Sequence, residues 1–465
     1  MTADTGDSVT VSSVVTDFPS VSGTTPRRLT GWQVSMISVG GIIGAGLFVG
    51  TSATIAGAGP SVVLAYVLAG AVVWAAMLLL GELAIQHEGR GSFISHVGQV
   101  LGQRSAFVTG WSYAFLWVVT GGAQAVAGGL IISTLSGLRA PVGSLLLVGV
   151  ALLLNTLPVR VYGRSEAVLS VIKLAALGLF AALGVWWGLK TPDAISEVHD
   201  NLLGHGGFFP LGGWAVLAVV PMIVQTFTGC EIAFVAAVES EDPQQSIRRT
   251  VSRVPLFILM FYLGSVLVIL SLRPWTLVTP GQSPFLLVMH YLAVPFAEAV
   301  AVAVTLVAVL SCLNSAKYVV SRVIRELSEL GCAPAAFGRS LEHGVPVMAV
   351  AISSVLEVII IASAAWSPSR AYAVLLGASG SVVIFTYFMV SLSCYRNRDR
   401  IEGRFRLILA RMLPLVLGAL FLLILVLPEA RLNGELAGGS ILLIALASVV
   451  ALRRGRSGAS DSSGQ

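Results

Sequence analysis

Long stretches of this chain carry almost no charge, and each is close to the ~20 residues that a helix needs to cross hydrocarbon. Charged residues make up 11% of the 465 positions and hydrophobic ones 56%, with a mean hydropathy of +0.88. A soluble domain has about 25% charged residues. The pattern predicts an all-α polytopic membrane protein with about twelve transmembrane helices. The spans are expected near residues 32–51, 60–84, 105–134, 141–159, 166–189, 212–237, 254–272, 285–320, 346–366, 371–394, 407–428 and 437–452. The third and eighth are longer than a bilayer requires, as expected of a tilted helix or one that projects past the hydrocarbon.

Basic residues set the orientation. With the amino terminus inside, 21 of the 28 Lys and Arg residues fall on the inner side and 5 (Arg139, Lys190, Arg273, Arg370 and Arg431) on the outer, while Lys173 and Lys317 lie within spans. This positive-inside bias predicts that both termini are cytoplasmic. It also accounts for the net charge of +5 without invoking nucleic acid. Residues 1–26 contain eleven Ser or Thr and no apolar signal region, and so are expected to be a disordered cytoplasmic tail. Residues 27–400 would form the core of spans one to ten, 401–452 the last two spans, and 453–465 a second cytoplasmic tail. Cys230, Cys312, Cys332 and Cys394 form no CxxC pair and suggest neither a metal site nor a disulfide framework. No cofactor is implied, and the oligomeric state is not readable.

A repeat lies within the spans. Spans one to five and six to ten start at matching places, offset by 180 to 205 residues. Because five is odd, the second copy must enter the membrane from the opposite side. In carriers built from such inverted repeats, substrate binds near the midplane where discontinuous helices meet. The first span carries "GGIIGAGLFVG", Gly40 to Gly50, in which five of eleven residues are glycine. The sixth carries "QTFTGCE", with Pro221 upstream and Gly229 at its middle, 185 residues after Gly44. Unwound backbone at membrane depth is tolerated only where it faces protein or a wet cavity. An amino acid would satisfy it, carboxylate on half-helix N–H groups and ammonium on freed carbonyls. Close helix packing is the competing explanation of the glycines alone, since Gly40xxxGly44 and Gly46xxxGly50 fit the small-xxx-small pattern; the paired break in span six favours a site.

These residues resemble a known family. "GGIIGAGLFVG", "AGPSVVLAYVLAG", "GELA", "GSF", "GWSYAFLWVV", "IKLAALGLF", "FTGCEIAFVAAVESEDPQQSI" and "SCLNSAKYVVSRVIRELSELGCAP" followed by "GVP" are similar, in order, to motifs of bacterial amino-acid permeases. These belong to the amino acid–polyamine–organocation superfamily. "AAVESEDP" and "SCLNSAKY" look most like its amino acid transporter family, which includes the γ-aminobutyrate permeases. The resemblance implies a five-plus-five inverted repeat of the LeuT type with broken first and sixth helices, in a plasma-membrane secondary transporter that carries its substrate with a proton. It implies that Ile43, Gly44, Ala45 and Gly46 face the substrate carboxylate, and that carbonyls around Phe227, Thr228 and Gly229 receive its amine. At Gln124, where relatives commonly have glutamate, a neutral amide puts the proton stoichiometry and the substrate's distal group in question.

Charges inside the spans stand out, because one at the bilayer centre costs at least ~2.5 kcal/mol and is by default a functional candidate. Lys173 lies in the middle of span five with apolar residues for several turns on either side. By resemblance it matches a lysine that takes the place of a sodium ion in proton-coupled relatives. Glu231, at the span-six break, matches a gating glutamate; stabilisation by the local helix dipole is its simpler reading. Glu357, deep in span nine, is expected to be a neutral or paired acid facing a neighbouring helix. Lys317 lies near the inner end of span eight, where snorkelling would suffice. Asn314 and Ser315 fit helix-to-helix hydrogen bonding at least as well as a cavity lining.

A membrane enzyme is the weakest alternative: "HEGRG" at His87 is not HExxH, GxSxG is absent, and "GAGLFVG" misses GxGxxG. A non-transporting amino-acid sensor, or an exchanger or exporter of an amino-acid-derived metabolite, remains open at this stage.

Overall fold

The structure, a computed structural model, describes residues 30–86, 92–157, 159–232, 234, 243–339, 346–428 and 430–462. The expected amino-terminal tail and the "HEGRG" segment lie outside the described residues. Among the described residues, nine helical stretches are long and apolar enough to cross a membrane; the first, Gly31–Ala84, contains two spans, and Ala140–Thr156 and Gly213–Thr226 are shorter apolar helices.

The first span runs from Gly31–Ile42 through a break and a wide turn at Gly46–Gly50 into Thr51–Ala58. The second to fifth spans are Val62–Gln86, Gln103–Ser136, Ala140–Thr156 and Val159–Lys190. The sixth begins with Gly213–Thr226, and the seventh is Pro243–Leu272. The remaining five are Ala297–Glu329, Val347–Ala364, Pro368–Arg396, Arg404–Val426 and Arg431–Ser462. This is the all-helical architecture with broken first and sixth helices that the sequence predicts.

Several boundaries differ from the expectation, among them that of the last helix, which runs on to Ser462 over residues expected as tail. The overlong eighth stretch is divided: Pro284–Tyr291 is a separate short helix, and the span proper starts at Ala297 after Ala293 and Phe296, both at positive φ. Apolarity continues through that turn, so hydropathy did not mark it. Amphipathic helices at Phe93–Leu101 and Ala194–Leu203 occupy what read as loops.

Burial ranks the spans. The most apolar window of span three is 78% buried, that of span twelve 11%. Span three is thus a central post and span twelve a peripheral one. Lipid-facing sides show exposed Leu179, Leu422 and Leu443, as an apolar solvent permits.

Candidate functional site: two crossed helix breaks

Helix one ends at Ile42 because Ile43 turns to extended backbone, with φ −83° and ψ 93°. The carbonyls thereby freed from helical bonding are taken by side chains of three other spans. Lys173 Nζ donates to Gly40 O at 2.7 Å, to Ile43 O at 2.9 Å and to Ser311 Oγ at 2.7 Å. Cys312 Sγ donates to Gly41 O at 3.3 Å. The Tyr262 hydroxyl, on span seven, lies 3.2 Å from Ile42 O and 3.0 Å from Thr226 O, so one phenol proton is shared between the last carbonyls of both half-helices.

The span-six break meets the first backbone to backbone. Gly229 has φ +120°, and a Cβ built there would lie 2.7 Å from Ile42 N and 2.9 Å from Gly41 C. Only glycine fits, both for the torsion and for the approach. Within the break, Phe227 and Gly229 carbonyls accept from Cys230 N and Ile232 N. Glu231 is buried and receives both oxygens' bonds locally: Gly229 N–H at 3.2 Å, Tyr113 hydroxyl at 3.3 Å and Tyr387 hydroxyl at 3.1 Å. It joins spans three, six and ten at one point.

Gln124, on span three, accepts the Ala45 N–H through Oε1 at 2.9 Å. The amide expected to face a carboxylate is therefore held by a protein acceptor in this arrangement. Gly44 makes this fit possible, since a Cβ there would be 2.8 Å from Gln124 Nε2 and 2.9 Å from Cys312 Sγ. One turn away, Gln225 Nε2 donates to Thr120 Oγ1 at 2.9 Å, and Thr228 Oγ1 donates to Gln225 Oε1 at 3.1 Å.

The structure thus brings Ile43, Gly44, Ala45, Gly46, Gln124, Phe227, Thr228, Gly229, Lys173 and Glu231 into one buried region at the crossing. All are buried among the surrounding spans.

Sequence reasoning missed several partners. Glu166, two turns before Lys173, is fully buried and acts on the lysine electrostatically. It accepts from Ser311 Oγ and from Asn314 Nδ2, the latter at 3.1 Å. Its oxygen and Ser170 Oγ fill the space where a Gly40 side chain would go. Asn314 also receives Asn155 Nδ2 at 2.7 Å, and Ser315 receives the Tyr162 hydroxyl at 3.3 Å, so these two residues bind helix to helix. Glu166 was legible as one more intramembrane acid; Tyr262 carried no signal. Lys317 does not snorkel: it is fully buried and forms an ion pair with Glu357, itself fully buried, and donates to Ser354 Oγ at 2.8 Å.

Two broken helices crossing at the centre of a twelve-span bundle, the first held by a buried lysine and both bridged by one tyrosine hydroxyl, define the inverted-repeat secondary transporter class. Among solved structures the chain is similar to a Na+-coupled sialic acid symporter in a substrate-bound outward-open state, with TM-score 0.56 and 11% identity, covering 85% of this chain and 89% of that one. At that identity the likeness concerns the fold. The amino acid permease family model matches residues 33–430. Similar proteins include a γ-aminobutyric acid permease of Bacillus subtilis, 33% identical over 378 residues (81% of each chain), and one of Escherichia coli K12, 33% identical over 382 residues (80% and 81%). The aromatic amino acid transport protein AroP of E. coli K12 is 31% identical over 373 residues, covering 80% of this chain and 82% of its own. The chain belongs to the amino acid permease family.

Proposed function

We propose that this secondary transporter of amino acids works as a proton symporter in the plasma membrane, with both termini in the cytoplasm. The observation that carries the proton reading is the place of Lys173. Its ammonium lies 2.7 to 2.9 Å from two backbone carbonyls and a hydroxyl at the first break. Oxygens converging in this way suit a small cation, and a fixed ammonium there repels a second one. Proton loss from Lys173 would weaken its hold on Gly40 and Ile43, biasing the broken helix between two arrangements and coupling proton passage to alternating access.

Substrate binding follows from the breaks. The carboxylate would take the amides at Gly44, Ala45 and Gly46, displacing the Gln124 oxygen from Ala45 N–H, while the amine approaches carbonyls around Phe227, Thr228 and Gly229. Such a site reads a zwitterion. γ-Aminobutyrate and aromatic amino acids, carried by the named relatives, are the first candidates.

The test is uptake of both, radiolabelled, into proteoliposomes under an inward proton gradient without sodium, compared with an inward sodium gradient at symmetric pH. Accumulation in the first case alone is expected. Accumulation only in the second overturns proton coupling, and accumulation in neither with fast exchange against internal substrate identifies an exchanger.

A further inference from the structure

The ion pair of Lys317 and Glu357 is not used by the mechanism above, and apolar side chains of similar volume would hold spans eight and nine as well or better. Ionisable groups at membrane depth are costly and occur where they do something. Both side chains are fully buried. Glu357 Oε2 takes the lysine, whereas Oε1 is buried and has no hydrogen-bond donor among the described residues. Oε1 lies against Gly121 of span three: a Cβ built on Gly121 would be 2.6 Å from it and 3.4 Å from Ala316 Cβ. The space beside that oxygen does not admit even a methyl group.

We propose that Lys317 and Glu357 form a second proton-carrying site of this transporter, with the proton taken on Glu357 Oε1. The idea rests on the proton-symport reading. In the step, a proton adds to a lone pair of Oε1, carboxylate becomes carboxylic acid, and no other bond changes. The pair passes from net zero to one positive charge, and release reverses this. Lys317 is the charged group that faces Glu357 and acts on it. Span three presents Gly121 to it and Gly122 to Ile360. Span four offers Ser144 and Pro141 near Ile361, and the short helix Ala335–Gly338 carries no titratable side chain. Span ten brings Tyr372 into the apolar cluster of Ile361 and Ala364, a turn or more beyond Glu357. The charge change therefore falls on Lys317 and is felt at the substrate site through two rigid helices. Gly121 is three residues from Gln124, the acceptor of Ala45 N–H, and Lys317 is five from Cys312, which touches Gly41.

The test uses the full-length protein in proteoliposomes. Infrared difference spectra between alkaline and acidic pH should show a carboxylic-acid band that is missing in Glu357→Gln. Protons moved per γ-aminobutyrate or per phenylalanine should fall by one in that variant. Lys317→Met/Glu357→Leu, which leaves no unpaired charge, should unfold at or above the wild-type temperature and show the same loss. A band retained in Glu357→Gln, or a ratio unchanged in the double variant while the wild type moves protons, overturns the second site alone. A wild type that moves no proton with either substrate overturns the symport reading and the carrying role with it.

Discussion

Lys173 and Glu166 lie in one helix, yet their meaning comes from Ser311 and Asn314 of another. The ammonium answers three oxygens at the first break, and the carboxylate sits behind it as counter-charge, held by Ser311 and Asn314. Lys173→Met should remove uphill uptake and, by leaving a buried carboxylate uncompensated, should destabilise the protein by ~3–5 kcal/mol. Glu166→Gln/Lys173→Met should recover most of that stability in thermal melts and none of the accumulation. Recovery of accumulation would show that the lysine is only a strut. Glu231 is held by two phenols and an amide from three elements, so its charge state is tied to how spans three, six and ten sit together. Glu231→Gln keeps the size and one acceptor oxygen, and a tyrosine hydroxyl can turn to accept from its new N–H. Transport by this variant should lose much of its pH dependence while its melting temperature stays near wild type; an unchanged pH profile would reduce Glu231 to a structural acid.

At the scale of elements, the breaks are fitted to each other and held by neighbours. Tyr262 spans both, its hydroxyl within 3.2 Å of Ile42 O and 3.0 Å of Thr226 O. Tyr262→Phe leaves buried carbonyl without its donor, a loss of about 1–3 kcal/mol. It should lower the melting temperature and slow exchange, since no phenol proton then bridges the two half-helices. Gly44→Val has a different expectation. The branched side chain would occupy the space of Gln124 Nε2 and Cys312 Sγ. Substrate binding should be abolished with the protein still inserted in the membrane. Binding of a decarboxylated analogue as tightly as its parent amino acid, in the wild type, would contradict the carboxylate assignment altogether.

For the whole molecule, the excess of inner over outer basic residues makes orientation a measurable claim. All four cysteines are buried, and burial pushes the thiol of Cys332, in the loop after span eight, up to about 11. Little thiolate is then present at neutral pH, so native labelling by maleimide should be slow. A cysteine at Trp366, whose side chain is 95% exposed between spans nine and ten, should react with an impermeant maleimide added to intact cells. One at the exposed Glu402, between spans ten and eleven, should react only after the membrane is opened. The reverse pattern would place both termini outside.

Hydropathy is a property of a contiguous stretch, which is why the spans and the all-helical class were readable before any contact was known. The paired breaks were readable for a related reason: glycine and proline weaken a helix wherever it packs, and two such places in corresponding spans mark a shared purpose. The intramembrane cost of charge singled out Lys173, Glu231 and Glu357 in the same way. What the chain alone did not reveal is who answers whom. That Gln124 holds Ala45, that Tyr262 bridges Ile42 and Thr226, and that Lys317 turns inward to Glu357 depend on how neighbouring helices are rotated and set in register. A rotation of one helix by a single residue, about 100°, would exchange every one of those partners while leaving the hydropathy of each span as it was. The tertiary structure decides them because a buried donor or acceptor must find its partner among groups that packing happens to bring within 3 Å or so.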